Sequence, residues 1–222
     1  MSSFALKMIA IFTMFLDHLG LSLYRQVSLF NYIGRLSFPI FAFQISQGYI
    51  HTKNFKKYLL RLTLFAIISQ IPFIYFRYTF SNAFLLNIFF TLILGLLSIK
   101  LFDIWGNKFL GFVSAFLLAL IGELIHVDYG FWGVFVIFLF YFFRDHKVQM
   151  AVMFVLSCVI KYAVEFLYTP YYSLIWVCLA TTLSIIPILL YNQKQGRKVK
   201  YFLYLFYPIH LGLLYCLSIF LH

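Results

Sequence analysis

The chain consists of apolar runs of about 20 residues joined by short polar stretches, and that length restricts what it can fold into. A run of this kind crosses the hydrocarbon of a bilayer as a helix, because only there are all its backbone N–H and C=O groups paired without water. Spans are expected at 4–24, 32–50, 57–76, 83–101, 108–126, 130–144, 148–167, 171–191 and 200–220, the sixth being short. The fold class is therefore all-α integral membrane: a polytopic bundle of about nine transmembrane helices, with the whole of 1–222 as one domain. Composition agrees, since 64% of residues are hydrophobic and 10% charged. A soluble domain is closer to half apolar and about a quarter charged.

Lys7 stands before the first run, as in a signal peptide. The run ends in Tyr24-Arg25-Gln26 without a small-residue cleavage site, so it reads as a retained span. Cys158, Cys178 and Cys216 are isolated in apolar surroundings and read as packing residues, with neither a disulfide frame nor a metal site.

The net charge of +11 invites a nucleic-acid reading, but the cations gather in clusters between spans, where topology signals lie. With the N-terminus in the cytoplasm, 13 of the 17 Lys and Arg residues fall inside and only Arg25, Arg35, Arg77 and Lys161 outside. That bias orients the nine spans with the N-terminus in and the C-terminus out, and it accounts for the charge without a polyanionic partner.

The polar residues inside the spans are costly there and point to function. In "MIAIFTMFLDHLGLSLY", His18 lies about 14 residues into the first span, roughly 21 Å from its inner end. Asp17 and His18 are about 100° apart on the helix, so direct contact between them is not secured by adjacency. Asp17 shares a face with Thr13 and Gly20, and His18 with Arg25. Arg35 opens the second span on the outer side, and Pro39 within it is expected to bend the helix. Gln44, Ser46, Gln47 and Gly48 follow, and His51, Thr52, Lys53 and Asn54 reach the inner surface. Gln70, Asn87, Glu123, His126 and Asp128 fall toward the outer side, with Asn87 and Thr91 on one face. His210, after Pro208 in the last span, lies at a depth comparable to His18; a lone histidine there is commonly a structural hydrogen bonder, and the matching depth also allows a cavity shared with His18.

Five stretches in order, "LKMIAIFTMFLDHLG", "IGRLSFPIFAFQISQGYIHTKN", "KYLLRLTLFAIISQIPF", "LNIFFTLILGLL" and "YFLYLFYPIHL", resemble the TraX family of bacterial membrane proteins. That family is named for a protein that acetylates the N-terminus of conjugative pilin. It is similar in plan to wider transmembrane acyltransferases, which carry acyl groups from cytosolic acyl-CoA to acceptors at the far face. The resemblance implies a multi-pass protein of the bacterial cytoplasmic (inner) membrane, with acetyl-CoA as acyl donor. The implied acceptor is a pilin-like protein or another cell-envelope molecule. It also implies His18 of the "DH" motif as the catalytic histidine and Arg35 of the "GR" motif as its electrostatic partner. Gly34, Pro39, Gly48, His51, Thr52, Asn87, Thr91, Pro208 and His210 match further motif positions without assigned roles.

Acyl transfer from a thioester needs a base for the acceptor's proton and stabilisation of an oxyanion. On this reading His18 is the general base, Asp17 orients it and Arg35 stabilises charge, with an acyl-histidine route as the alternative. Lys53, Lys56, Lys57 and His51 are candidates for the CoA phosphates, and Asn87, Thr91, His210 and Gln70 for the substrate. Competing readings are a small-solute transporter or proton-coupled carrier built on Asp17, His18, Glu123 and His210, and a non-catalytic chaperone for surface-polymer assembly.

Overall fold

The structure, a computed structural model, describes residues 1–24, 28–171, 173–197 and 199–221. Arg25 and Lys198, both counted in the charge bias above, lie outside these residues. Eleven helices make up the described chain: α1 (Ser3–Tyr24), α2 (Leu29–Gly34), α3 (Ser37–His51), α4 (Phe55–Tyr78), α5 (Ile88–Ile104), α6 (Lys108–Leu124), α7 (Gly130–Phe142), α8 (Lys147–Tyr168), α9 (Ser173–Leu183), α10 (Ile185–Leu189) and α11 (Lys200–Leu221). They fall on the nine expected runs, because the second run is broken into α2 and α3 and the eighth into α9 and α10. Helices α1, α4, α8 and α11 contain segments long and apolar enough to cross a membrane.

Two boundaries differ from the expectation, and each has a physical cause. The fourth run was expected from 83, but the helix starts at Ile88. Asn87 caps it, its side chain accepting a hydrogen bond from Phe89 N at 3.0 Å. In the second run the break falls at Arg35 and Leu36, between α2 and α3, and not at Pro39. Pro39 is the third residue of α3, where a backbone N–H has no partner within the helix, so the proline removes nothing.

Helix α7 lies at the centre, with Trp132 to Phe138 nearly all buried and Ile137 and Phe140 fully so, as suits a helix that is apolar all round. It packs on α3, α5, α6 and α8. Gly95 lets α5 approach it closely, since an added Cβ would overlap the Ile137 side chain. Around this core the outer helices turn apolar faces outward, including Ile67, Ile68 and Ile71 of α4 and Leu205, Ile209 and Leu213 of α11. An apolar surface of that extent is a surface for lipid.

Two clusters tie the helix ends. At one end, the Asp103 carboxylate of α5 accepts hydrogen bonds from Tyr49 of α3 at 2.7 Å and Tyr141 of α7 at 2.7 and 2.8 Å. The start of α1 is at the same end as the stretch after α10: Ser3 N donates to Lys194 O at 2.8 Å and Phe4 N to Gln195 O at 3.1 Å. At the other end, Gln70 Nε2 donates to Leu85 O at 2.9 Å, and Leu86 N donates to His126 O at 2.9 Å.

Candidate active site

A cavity of about 820 Å³ runs between α1, α3, α4, α5 and α11. Its exposed wall residues gather at one end, where the end of α3 supplies His51, the turn after it Lys53, and the stretch after α10 supplies Gln193, Gln195 and Arg197. This end is the mouth. Lys7 of α1 and Arg61 of α4 also line the cavity, so its wall carries Lys7, Lys53, Arg61 and Arg197. Of the chain's six acidic residues only Asp17 and Asp128 reach the wall. Two wall donors, Arg61 Nε and Gln44 Nε2, are buried without a hydrogen-bond partner among the described residues. Ser3 Oγ donates to the other atom of that amide, Gln44 Oε1, at 2.9 Å.

Asp17 and His18 line the cavity deep along α1. Eleven positions separate His18 from Lys7, about 16 Å of helical rise. The two neighbours have different partners. Arg35 Nη2 donates to both Asp17 oxygens, at 2.9 and 3.1 Å, and Asn31 Nδ2 donates to Asp17 Oδ1 at 3.0 Å and to its backbone O at 3.1 Å. Asn31 Oδ1 in turn accepts from the N and Oγ of Ser28, both at 2.9 Å. Helix α2 is thereby stapled onto α1, and Gly34 makes the approach possible: an added Cβ would overlap Asp17 Cβ.

His18 turns to the last helix. Its Nδ1 lies 2.7 Å from His210 Nε2, and the two rings are stacked at 5.0 Å between centroids. His210 Nδ1 lies 2.8 Å from Phe206 O. Phe76 packs edge-on against His18 at 5.4 Å.

The cavity's deep wall is completed by Asp128 and Tyr129 in the turn between α6 and α7. Tyr129 adopts φ 64° and stacks on Phe38 at 3.9 Å. Asp128 N donates to Leu86 O at 2.9 Å, and the Thr91 hydroxyl bonds Asp128 O. Burial raises the Asp128 carboxyl to about 6 despite the lowering pull of Arg77 and Arg35.

The structure thus brings together only part of the expected set. Asp17, His18, His51 and Lys53 line one cavity. Arg35 is not on its wall and reaches the site through Asp17, which makes its geometry that of a holder of Asp17. Asp17 makes no hydrogen bond to His18 among the described residues; the partner of His18 is His210. Lys56 and Lys57 are exposed and off the wall. Gln70, Asn87, Thr91 and His210 are also off the wall: Asn87 Nδ2 donates to Ala66 O and Gln70 Oε1, both at 2.7 Å, the Thr91 hydroxyl bonds Asp128 O, and His210 touches the cavity only through His18. Sequence reasoning passed over Asn31, although its spacing of four from Arg35 sets both on one helix face. Lys7, Arg61 and Tyr129 line the cavity as well, and no spacing in the sequence marks them for it.

A chain from Dichelobacter nodosus described as "Probable fimbrial assembly protein FimC, serogroup H1" is 29% identical over 239 aligned positions, covering 99% of this chain and 97% of that one. No solved structure matches. The family model described as TraX protein matches residues 2–218, and on that near-complete match the chain belongs to the TraX family.

Proposed function

We propose that the chain is a membrane-embedded acyltransferase that moves an acetyl group from acetyl-CoA to an amine or hydroxyl acceptor, with His18 as general base. The observation that carries this reading is one cavity with unmatched cations at its mouth and a histidine at depth. CoA has the matching form: a polyanionic head on a long, thin arm ending in a thioester. Lys7, Lys53, Arg61 and Arg197 suit the phosphates, Arg best where a fork of donors meets phosphate oxygens. The unpartnered donors Gln44 Nε2 and Arg61 Nε suit the polar groups of the head and arm. The rise of about 16 Å from Lys7 to His18 is on the scale of an extended pantetheine arm.

In the chemical step the His18 imidazole accepts the acceptor's proton as its N or O attacks the thioester carbonyl. The tetrahedral intermediate then collapses, the C–S bond breaks, and the thiolate leaves as CoA after taking a proton. Arg35 and Asn31 hold Asp17 in place beside this chamber. With the N-terminus in the cytoplasm, the orientation that the positive-inside rule favours, the mouth opens on the side where acetyl-CoA is found and the His18 end lies toward the outer half of the membrane. The family and the fimbrial-assembly relative favour a pilin-like acceptor or another envelope molecule.

The donor half is tested by equilibrium binding of acetyl-CoA to purified protein in micelles. The wild type is expected to bind, with affinity falling as salt rises. Lys7→Met and Arg61→Met should each weaken binding by about tenfold or more, the loss of one charge-assisted contact worth roughly 1.5–3 kcal/mol. Absence of binding, or affinity indifferent to both substitutions, contradicts the reading.

A further inference from the structure

We propose that His210 is the positioning residue of His18: it fixes which ring nitrogen of His18 is basic and takes a share of the proton that His18 accepts. The inference rests on His18 being the base of the reaction above. It follows from a chain of three partners, read from the end that has only one possible role.

The Phe206 carbonyl oxygen can only accept a hydrogen bond, so His210 Nδ1, 2.8 Å away, carries a hydrogen. A neutral imidazole with hydrogen on Nδ1 presents a lone pair at Nε2. That lone pair faces His18 Nδ1 at 2.7 Å, so His18 Nδ1 is the donor of the shared hydrogen bond. His18 Nε2 is then the bare nitrogen. It has no hydrogen-bond partner among the described residues, and His18 lines the cavity. An unassisted neutral imidazole prefers its hydrogen on Nε2, the form in which that nitrogen is no base. His210 therefore selects the competent tautomer, a task that a carboxylate performs in serine hydrolases. Asp17 is committed to Arg35 and Asn31, which leaves His210 as the orienter.

The proton balance closes on the same line. When His18 Nε2 accepts the acceptor's proton, the Nδ1 proton shifts along the 2.7 Å contact toward His210 Nε2. The positive charge is spread over two stacked rings and is stabilised by the Phe206 carbonyl dipole. When the thiolate leaves, His18 Nε2 gives it the proton taken from the acceptor and His210 Nε2 returns the shared proton to His18 Nδ1, which restores the resting pair. The aromatic lining of Phe15, Phe76 and Phe206 holds the rings in register.

The test reads the tautomer directly. Nitrogen-15 spectra of histidine-labelled protein, without any substrate, distinguish a protonated ring nitrogen from a bare one, and His18→Gln identifies the His18 signals among the six histidines. The wild type is expected to show His18 with hydrogen on Nδ1 and a bare Nε2. His210→Phe keeps the aromatic packing and removes the acceptor; His18 should revert toward the Nε2-protonated form, and kcat should fall at least about 100-fold. His210→Gln can place an amide oxygen near the former Nε2 and should restore both the tautomer and most of the rate. Nε2-protonated His18 in the wild type, or a tautomer unchanged by His210→Phe, overturns the inference. Because the spectra need no turnover, a correct tautomer in a protein that transfers no acyl group would count against the acyltransferase reading alone.

Discussion

At the residue scale, the site separates two jobs that adjacency in sequence suggested were one. Asp17 is part of an ion pair whose side chains are 12% and 27% exposed, with Arg35 from the end of α2 and with Asn31 completing the carboxylate's bonding. Removing either partner strands the other charge near the hydrocarbon, a loss of roughly 3 kcal/mol, at the low end for a buried pair because the guanidinium is partly open. Asp17→Asn and Arg35→Met should each lower unfolding stability in micelles by about that amount. The double variant should recover much of it, a coupling that a double-mutant cycle measures. Additive losses would mean that the two residues act independently. The 100° between Asp17 and His18 was legible in the sequence; the partner of His18 was not, because His210 is 192 positions away and only the packing of α11 on α1 joins them.

At the scale of elements, the position of each span was legible and its internal breaks were not. Hydropathy reports the total apolar length that lipid demands, and the eleven helices fall on the nine runs for that reason. It carries no signal for the break at Arg35, which is set by contacts across the chain: the Asn31 staple and the closeness that Gly34 permits. Pro39 suggested a kink because proline breaks helix interiors, yet here it belongs to a first turn. Two substitutions separate these roles. Gly34→Ala forces Asp17 and α2 apart and should cost about 1–3 kcal/mol, the usual range for overpacking. Pro39→Ala loses no helix hydrogen bond and should stay within about 1 kcal/mol of the wild type. Thermal unfolding in detergent measures both, and a reversed order would contradict the assignment of the break. Asn87 shows the same limit on a smaller scale. Its depth and its spacing to Thr91 suggested a ligand face, whereas its bonds to Ala66 O, Gln70 and Phe89 N use it to cap α5 and lock α5 to α4.

At the scale of the molecule, four cations from separate parts of the chain, Lys7, Lys53, Arg61 and Arg197, share one cavity wall, on which the acidic residues among those described are Asp17 and Asp128, both at depth. Spacing gave His18 its depth from the inner end of α1, but not the set of residues that share its cavity. Which of the cations face the cavity depends on helix rotation and packing, and so Lys7 and Arg61 emerge while Lys56 and Lys57 turn away. The account's central claim is that this one cavity delivers an acetyl group to an acceptor at His18. The most direct measurement follows radiolabelled acetyl-CoA with the purified protein in nanodiscs and an envelope extract of an expressing strain. The account predicts label on an acceptor with release of an equal amount of free CoA, and a rate at least about 100-fold lower for His18→Gln. No CoA release by the wild type, or equal rates for the wild type and His18→Gln, would contradict it.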